Sequence, residues 1–98
     1  MMYEIRLSED AERHLKAFPA RDQRIIIEGI EDQLAHQPSV PTRNRKLLRA
    51  NPLATWELRI QKFRVLYNVD EEIVTVLVVA IAVKEGNTFV IEGEEYPL

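Results

Sequence analysis

The chain has 98 residues, of which 46% are apolar, enough for one domain built around a single hydrophobic core. It has no cysteine, which excludes disulfides, thiolate metal sites and cysteine nucleophiles. With a formal net charge of −3, the long-range attraction of the whole molecule to nucleic acid is expected to be weak.

The basic side chains are concentrated in the middle of the chain. Residues 43–64 carry seven Lys or Arg side chains and one acid, a local charge of +6. Residues 1–42 carry −3 and residues 65–98 carry −6. A local positive field of this kind is suited to phosphate groups, so the middle segment is the predicted working surface.

No targeting or cofactor motif is apparent. The first residues form a charged, alternating segment rather than a signal peptide, and the longest apolar run, 76–83, is too short to cross a bilayer. His14 and His36 lack metal-ligand spacing, and the three glycines form no phosphate loop. We therefore expect a cytoplasmic protein with no membrane partner, no metal and no cofactor.

The N-terminal part of the chain predicts one strand and two helices. Residues 3–7 alternate apolar and polar side chains, which is the strand period. Ser8 follows as the N-cap of a short helix that Pro19 ends. Asp22 is predicted to cap a longer helix that ends before Pro38, with His36 in its last turn. The predicted apolar face of the second helix consists of Ile26, Ile27, Ile30 and Leu34.

The remaining chain predicts a meander of antiparallel strands. Residues 56–60 and 63–69 alternate around a turn at Gln61-Lys62, and residues 73–83 are apolar on both faces, as in a covered central strand. A short last strand is predicted at 88–91, and the acidic run 92–95 is predicted to be a solvated tail. Residues 1–98 thus predict one α+β domain, with two antiparallel helices on one face of a mainly antiparallel sheet of four or five strands. The predicted core contains Leu15, Ile30, Trp56, Leu58, Tyr67 and Val78.

The predicted hairpin places two arginines side by side. If the turn has two residues, Trp56 faces Tyr67 on the helix side, and Arg59 faces Arg64 on the other side. Like charges opposite each other in a ladder are destabilising. Either Glu57 compensates on a solvated open face, or the face binds an anion or a partner, and both interpretations stay open.

A basic run precedes this hairpin and extends it into a patch. Phosphate contacts from such a patch position a nucleic acid without reading its sequence. No aromatic side chain is predicted on that face, so base stacking is not expected there. The candidate binding residues are Arg43, Arg49, Arg59 and Lys62, together with Arg45 and Lys46.

Several of these segments resemble the RelE/ParE superfamily of toxins from toxin–antitoxin pairs. The resemblance rests on Arg45-Lys46-Leu47, on the hairpin motifs 56–59 (Trp-Glu-Leu-Arg) and 64–67 (Arg-Val-Leu-Tyr), and on the apolar strand 76–81. The order of elements is also similar, over nearly the whole chain. The resemblance implies a cognate antitoxin as partner.

The resemblance also implies roles for individual residues. Arg64 matches an arginine that holds the scissile phosphate in RelE-like enzymes, and Arg45 and Lys46 match basic residues that contact RNA. Lys84 stands where the family often has an arginine. Val83 and Phe89 stand where it often has a histidine and a tyrosine. The implied catalytic set is Arg64, Lys84, Arg45 and Lys46, without a metal.

Two functions follow from the resemblance. The first is inhibition of translation by metal-independent cleavage of mRNA on the ribosome. The second needs no chemistry: the chain inhibits DNA gyrase as ParE-like members do, or it is a non-toxic member that only binds its antitoxin. The absence of the histidine and the tyrosine favours the second function.

Overall fold

A sheet with two helices on one face makes up the computed structural model, which describes residues 1–97. The first three elements are β1 (Glu4–Leu7), α1 (Glu9–Lys16) and α2 (Ala20–Leu34). Six further strands follow: β2 (Arg45–Leu47), β3 (Trp56–Ile60), β4 (Phe63–Asp70), β5 (Thr75–Glu85), β6 (Thr88–Ile91) and β7 (Glu94–Tyr96).

The strands form one mostly antiparallel sheet. Strands β2 to β7 lie side by side in chain order, and β1 pairs in parallel with the beginning of β5. The predicted fold class is confirmed, but the predicted number of strands is wrong, since the sheet formed by residues 1–97 has seven. The additional strands include β2 and β7, which have three residues each and are too short to show a recognisable period.

The helix side of the sheet carries the main core. Trp56, Leu58 and Tyr67 are buried there with Val78 and Ile30, as predicted, and Leu15 is partly buried against them. The rings of Trp56 and Tyr67 stack with their centroids 6.1 Å apart. The hydroxyl of Tyr67 donates a hydrogen bond of 2.8 Å to the carbonyl of Pro38, and burial raises the pKa of this hydroxyl.

The helix boundaries differ in part from the prediction. Ser8 caps α1, since its Oγ accepts a 3.1 Å hydrogen bond from the backbone N–H of Ala11. The N-cap of α2 is Pro19 rather than Asp22, which lies inside the first turn, where a carboxylate favours the helix dipole. Because α2 ends at Leu34, His36 lies beyond the last turn. Ile27 is 39% exposed, so it does not belong to the buried face.

His14 connects the first helix to the sheet. Its ring is buried, and Nδ1 accepts a 3.2 Å hydrogen bond from the backbone N–H of Ile81. Close by, the β4–β5 register shifts between Leu66 and Tyr67, so that Val79 has no partner. This contact gives His14 a structural role, which agrees with the absence of metal-ligand spacing in the sequence. Within residues 1–97, neither helix is long and apolar enough to cross a membrane.

The opposite side of the sheet, predicted to be open, is partly covered. A smaller core there includes Leu66 and Phe89, with Leu53 from the loop after β2 packed against it. Asn51 shapes this loop, because its Oδ1 accepts hydrogen bonds from the backbone N–H groups of Leu53 and Ala54. At the other end of this side Leu77 is 40% exposed, so β5 is not covered along its whole length as predicted.

Replacing Trp56 with alanine tests the main core. Because the side chain is 7% exposed and stacks on Tyr67, Trp56→Ala is expected to lower the free energy of unfolding by about 3–5 kcal/mol. Leu47→Ala is the control, since Leu47 pairs with Trp56 across β2 and β3 but is 60% exposed. Urea denaturation measures both. A loss below about 1 kcal/mol for Trp56→Ala would contradict the assigned packing.

Candidate functional site

A cationic groove lies on the side of the sheet that faces away from the helices. It has a volume of about 320 Å³. Its four basic side chains come from β2, the following loop, β3 and β5, so the sheet brings together residues that are far apart in sequence. The groove is lined by Lys46, Leu47, Leu48, Arg49, Glu57, Arg59, Lys84 and Phe89.

Strand pairing determines which side chains meet in this cationic groove. Lys46 lies opposite Glu57 in the β2–β3 pair, and Lys84 lies opposite Phe89 in the β5–β6 pair. Alternate residues of a strand point to the same side of the sheet, so Arg59 shares the side of Glu57. The backbones of these residues are fixed by ladder hydrogen bonds, which orients the side chains better than a loop would.

Glu57 is the only buried carboxylate among residues 1–97, at 4% exposure. Its Oε1 accepts a 2.8 Å hydrogen bond from Nε of Arg59. The predicted alignment of Arg59 opposite Arg64 is confirmed. Glu57 therefore offsets the repulsion between the two arginines, but it does so through a hydrogen bond to Arg59 alone.

Arg64 lies beside the groove with its guanidinium turned toward the hairpin turn. Nη1 donates to the carbonyls of Gln61 and Phe63, at 2.7 and 2.8 Å. Within residues 1–97, Nε of Arg64 is the one buried side-chain polar atom without a hydrogen-bond partner. Burial lowers the pKa of Arg64, the charge of Glu57 opposes this shift, and the charge of Arg59 adds to it.

The prediction that this side carries no aromatic ring is wrong. Phe89 belongs to the smaller core, and Nζ of Lys84 lies 6.0 Å from its ring centroid. The ring of Phe89 is only 3% exposed, so it orients Lys84 and has no free face for a nucleic-acid base.

Arg45 is not part of the groove, although it precedes Lys46 directly. It pairs with Leu58 and therefore points to the helix side, where it is 8% exposed. Nε donates to the carbonyl of Val40 at 3.0 Å, and Nη1 donates to the carbonyl of Gln33 at 2.7 Å. Arg45 thus satisfies a carbonyl near the C-terminus of α2, which makes its role structural.

Two further predicted residues lie outside the groove. Arg43 is exposed in the loop before β2. Lys62 is in the hairpin turn, with Nζ 5.5 Å from the ring of Phe63, which belongs to the main core. Within residues 1–97, no cluster of three or more His, Asp or Glu side chains is arranged to hold a metal ion.

The sequence of the chain matches a known toxin family. A sequence model described as ParE toxin of type II toxin-antitoxin system, parDE, matches residues 5–85. The chain belongs to this family. The resemblance to the RelE/ParE superfamily is therefore confirmed, and the chain is a toxin of a type II toxin–antitoxin module. Among curated proteins no match was found.

Two solved structures are similar to this toxin chain. One is the toxin–antitoxin complex RelBE2 from Mycobacterium tuberculosis, with 27% identity, a TM-score of 0.75, and coverage of 86% of this chain and 93% of that chain. The other is the archaeal RelE–RelB complex from Pyrococcus horikoshii OT3, with 20% identity, a TM-score of 0.65, and coverage of 83% and 93%. The second similarity shows the fold alone.

Separate alanine substitutions of Arg45 and Lys46 test whether Arg45 has a structural role and Lys46 does not. Arg45→Ala leaves the carbonyls of Gln33 and Val40 without their donor, so the free energy of unfolding is expected to fall by about 1–3 kcal/mol. Lys46→Ala removes an exposed side chain and is expected to change it by less than about 0.5 kcal/mol. Equal stability of the two variants in chemical denaturation would refute the structural role.

Proposed function

We propose that this toxin inhibits translation by cleaving mRNA on the ribosome, with the RNA phosphates held in the cationic groove. The observation that carries the proposal is the convergence of Lys46, Arg49, Arg59 and Lys84 on one groove beside Arg64. The similarity to the Mycobacterium tuberculosis RelBE2 complex, at 27% identity, supports the RelE-type mechanism.

Arg59 is the donor best suited to a phosphate. Its Nε is engaged by Glu57, and among the hydrogen bonds of residues 1–97 none uses its Nη1 or Nη2. Both amino groups therefore remain for two phosphate oxygens, the bidentate geometry that guanidinium provides. Lys46 and Lys84 add point charges that stabilise the negative charge developing on the phosphate during cleavage.

We also propose that the cognate antitoxin covers this groove. Both similar solved structures are complexes that contain an antitoxin. A groove with four cations and one carboxylate favours an acidic segment of the partner, which would compete directly with RNA phosphates. Such a segment neutralises the toxin without changing its fold.

Charge reversal in the groove tests the antitoxin contact. Lys46→Glu with Arg49→Glu is expected to lower the association rate of the antitoxin and to flatten its dependence on salt, because steering by opposite charges is lost. Arg43→Glu is the control, with the same kind of charge change outside the groove. Stopped-flow measurements at several ionic strengths give both quantities. An unchanged salt dependence in the double variant would refute this part of the proposal.

The second candidate function is inhibition of DNA gyrase by binding alone. It is favoured by the residues that line the groove, which include neither histidine nor tyrosine. Val83 and Phe89 occupy the positions where RelE-like relatives often have these groups, and Phe89 is buried. A toxin of this type would need the groove only for contacts.

Induced expression distinguishes the two functions. The proposal predicts that protein synthesis falls first, with message cut inside ribosomes, while plasmid supercoiling is unchanged. Lys84→Ala and Lys46→Ala are each expected to reduce toxicity strongly, since one preorganised donor is typically worth about 10²–10³ in rate. Lys62→Ala, which removes the same charge outside the groove, is the control. Early loss of plasmid supercoiling with intact mRNA would instead support inhibition of DNA gyrase.

A further inference from the structure

We infer that Glu57 is the catalytic base of the proposed reaction and accepts the proton of the ribose 2′-hydroxyl next to the scissile phosphate. The inference rests on the proposed mRNA cleavage. It assigns a proton acceptor in a chain that has Val83 and Phe89 where the family often has a histidine and a tyrosine. Its starting point is the position of one carboxylate among four cations in the groove.

The groove offers one proton acceptor at neutral pH. The lysine and arginine side chains of the groove are hydrogen-bond donors without an acceptor atom, and the remaining lining residues apart from Glu57 are apolar. His14 is on the helix side of the sheet, where its Nδ1 is occupied by the N–H of Ile81. His36 is exposed beyond the end of α2, with Nδ1 3.2 Å from the carbonyl of Met1. Neither histidine reaches the groove.

The tyrosines do not replace Glu57. Tyr67 has its hydroxyl on the carbonyl of Pro38, and burial raises its pKa. Tyr3 and Tyr96 donate to Glu71 and Glu94, and these hydrogen bonds to carboxylates raise the pKa of both phenols. Deprotonation of all three is thereby disfavoured.

The contact between Glu57 and Arg59 fits the substrate geometry. In RNA the attacking 2′-oxygen lies beside the phosphate that it attacks, so the base and the phosphate donor must be neighbours. Arg59 holds Oε1 of Glu57 at 2.8 Å and keeps both amino groups for the phosphate. Among the hydrogen bonds of residues 1–97, no other reaches the Glu57 carboxylate, so Oε2 remains for the hydroxyl. One ion pair thus positions the two partners of the reaction.

The reaction step balances with the residues of the groove. The 2′-oxygen forms a bond to phosphorus while its proton moves to Glu57. The bond between phosphorus and the 5′-oxygen breaks, and the leaving oxygen takes a proton from the ammonium group of Lys84. The products are a 2′,3′-cyclic phosphate and a 5′-hydroxyl. Glu57 then returns its proton to Lys84 through solvent.

Glu57→Gln in a reconstituted ribosome assay tests the inference. Glutamine keeps the size of the side chain and an oxygen for Arg59, but it does not take a proton at neutral pH. Cleavage of ribosome-bound mRNA is expected to fall about 10²–10⁴-fold. Affinity for an uncleavable mRNA with a 2′-deoxy scissile nucleotide is expected to stay equal or to rise, because a negative charge is lost. Glu85→Gln, an exposed carboxylate at the end of β5, is the control.

Glu57→Asp provides a second variant that keeps a carboxylate. The Glu57→Asp variant is expected to retain part of the activity, and its single-turnover rate is expected to rise with pH over the acidic range in which carboxylates titrate. Any residual rate of Glu57→Gln is expected to be independent of pH over that range. This variant decides the question if glutamine prevents folding, as judged by circular dichroism. A folded Glu57→Asp variant whose rate does not depend on pH would count against the base.

The remaining outcomes separate the inference from the proposed function. If the wild-type toxin cleaves mRNA and a folded Glu57→Gln variant cleaves it equally fast, Glu57 is not the base. The proposed function is then unaffected. Loss of affinity for the uncleavable mRNA in parallel with cleavage also overturns it, since Glu57 would then only position Arg59. A wild-type toxin that leaves ribosome-bound mRNA intact overturns the proposed function, and the base with it.

Discussion

The register of the β3–β4 hairpin determines the rest of this molecule. A two-residue turn, with Gln61 at a φ of 53°, pairs Trp56 with Tyr67 on the helix side and Arg59 with Arg64 on the other. A slip of one residue would turn over the side chains of one strand and remove its aromatic ring, Trp56 or Tyr67, from the core. Losing Trp56 from the core alone is worth about 3–5 kcal/mol, whereas two like charges across a ladder cost roughly 0.2–1 kcal/mol. The aromatic core therefore imposes the arginine pair.

The contacts of the charged side chains around this hairpin follow from the pairing of Arg59 with Arg64. Glu57 is buried next to Arg59, and burying a carboxylate is tolerated only when it is paired and hydrogen-bonded. Arg64 is instead tied to the carbonyls of the turn, and its burial lowers its pKa. The pairing of Glu57 with Arg59 leaves the two amino groups of Arg59 for a ligand. The requirement of the fold and the proposed chemistry of the groove are thus met by the same contact between Glu57 and Arg59.

The sequence predicts an element correctly where its hydrophobic periodicity extends over enough residues. It does not predict the side of the sheet to which a side chain points where that depends on strand pairing. The hairpin register, the Ser8 cap and the fold class follow from local patterns. Arg45 and Lys46 are neighbours in a basic run, yet only the three-residue strand β2 reveals that they point to opposite sides. Phe89 joins the groove lining because β6 pairs with β5, and the loop that covers Leu66 has no periodic signal.

The net charge of −3 is compatible with the proposed phosphate binding because part of the acidic charge, on Asp70, Glu71 and Glu72, lies far from the groove. Arg64 and Asp70 lie near opposite ends of β4, six residues apart, which corresponds to about 20 Å of extended strand. Exposed charges at this separation are largely screened at physiological salt, where the Debye length is about 8 Å. The acidic side chains at the Asp70 end weaken the long-range attraction of polyanions, but they do not cancel the local field of the groove. For the proposed cleavage of mRNA, such a charge distribution suits RNA that is presented by another surface, as on the ribosome, better than free RNA bound indiscriminately.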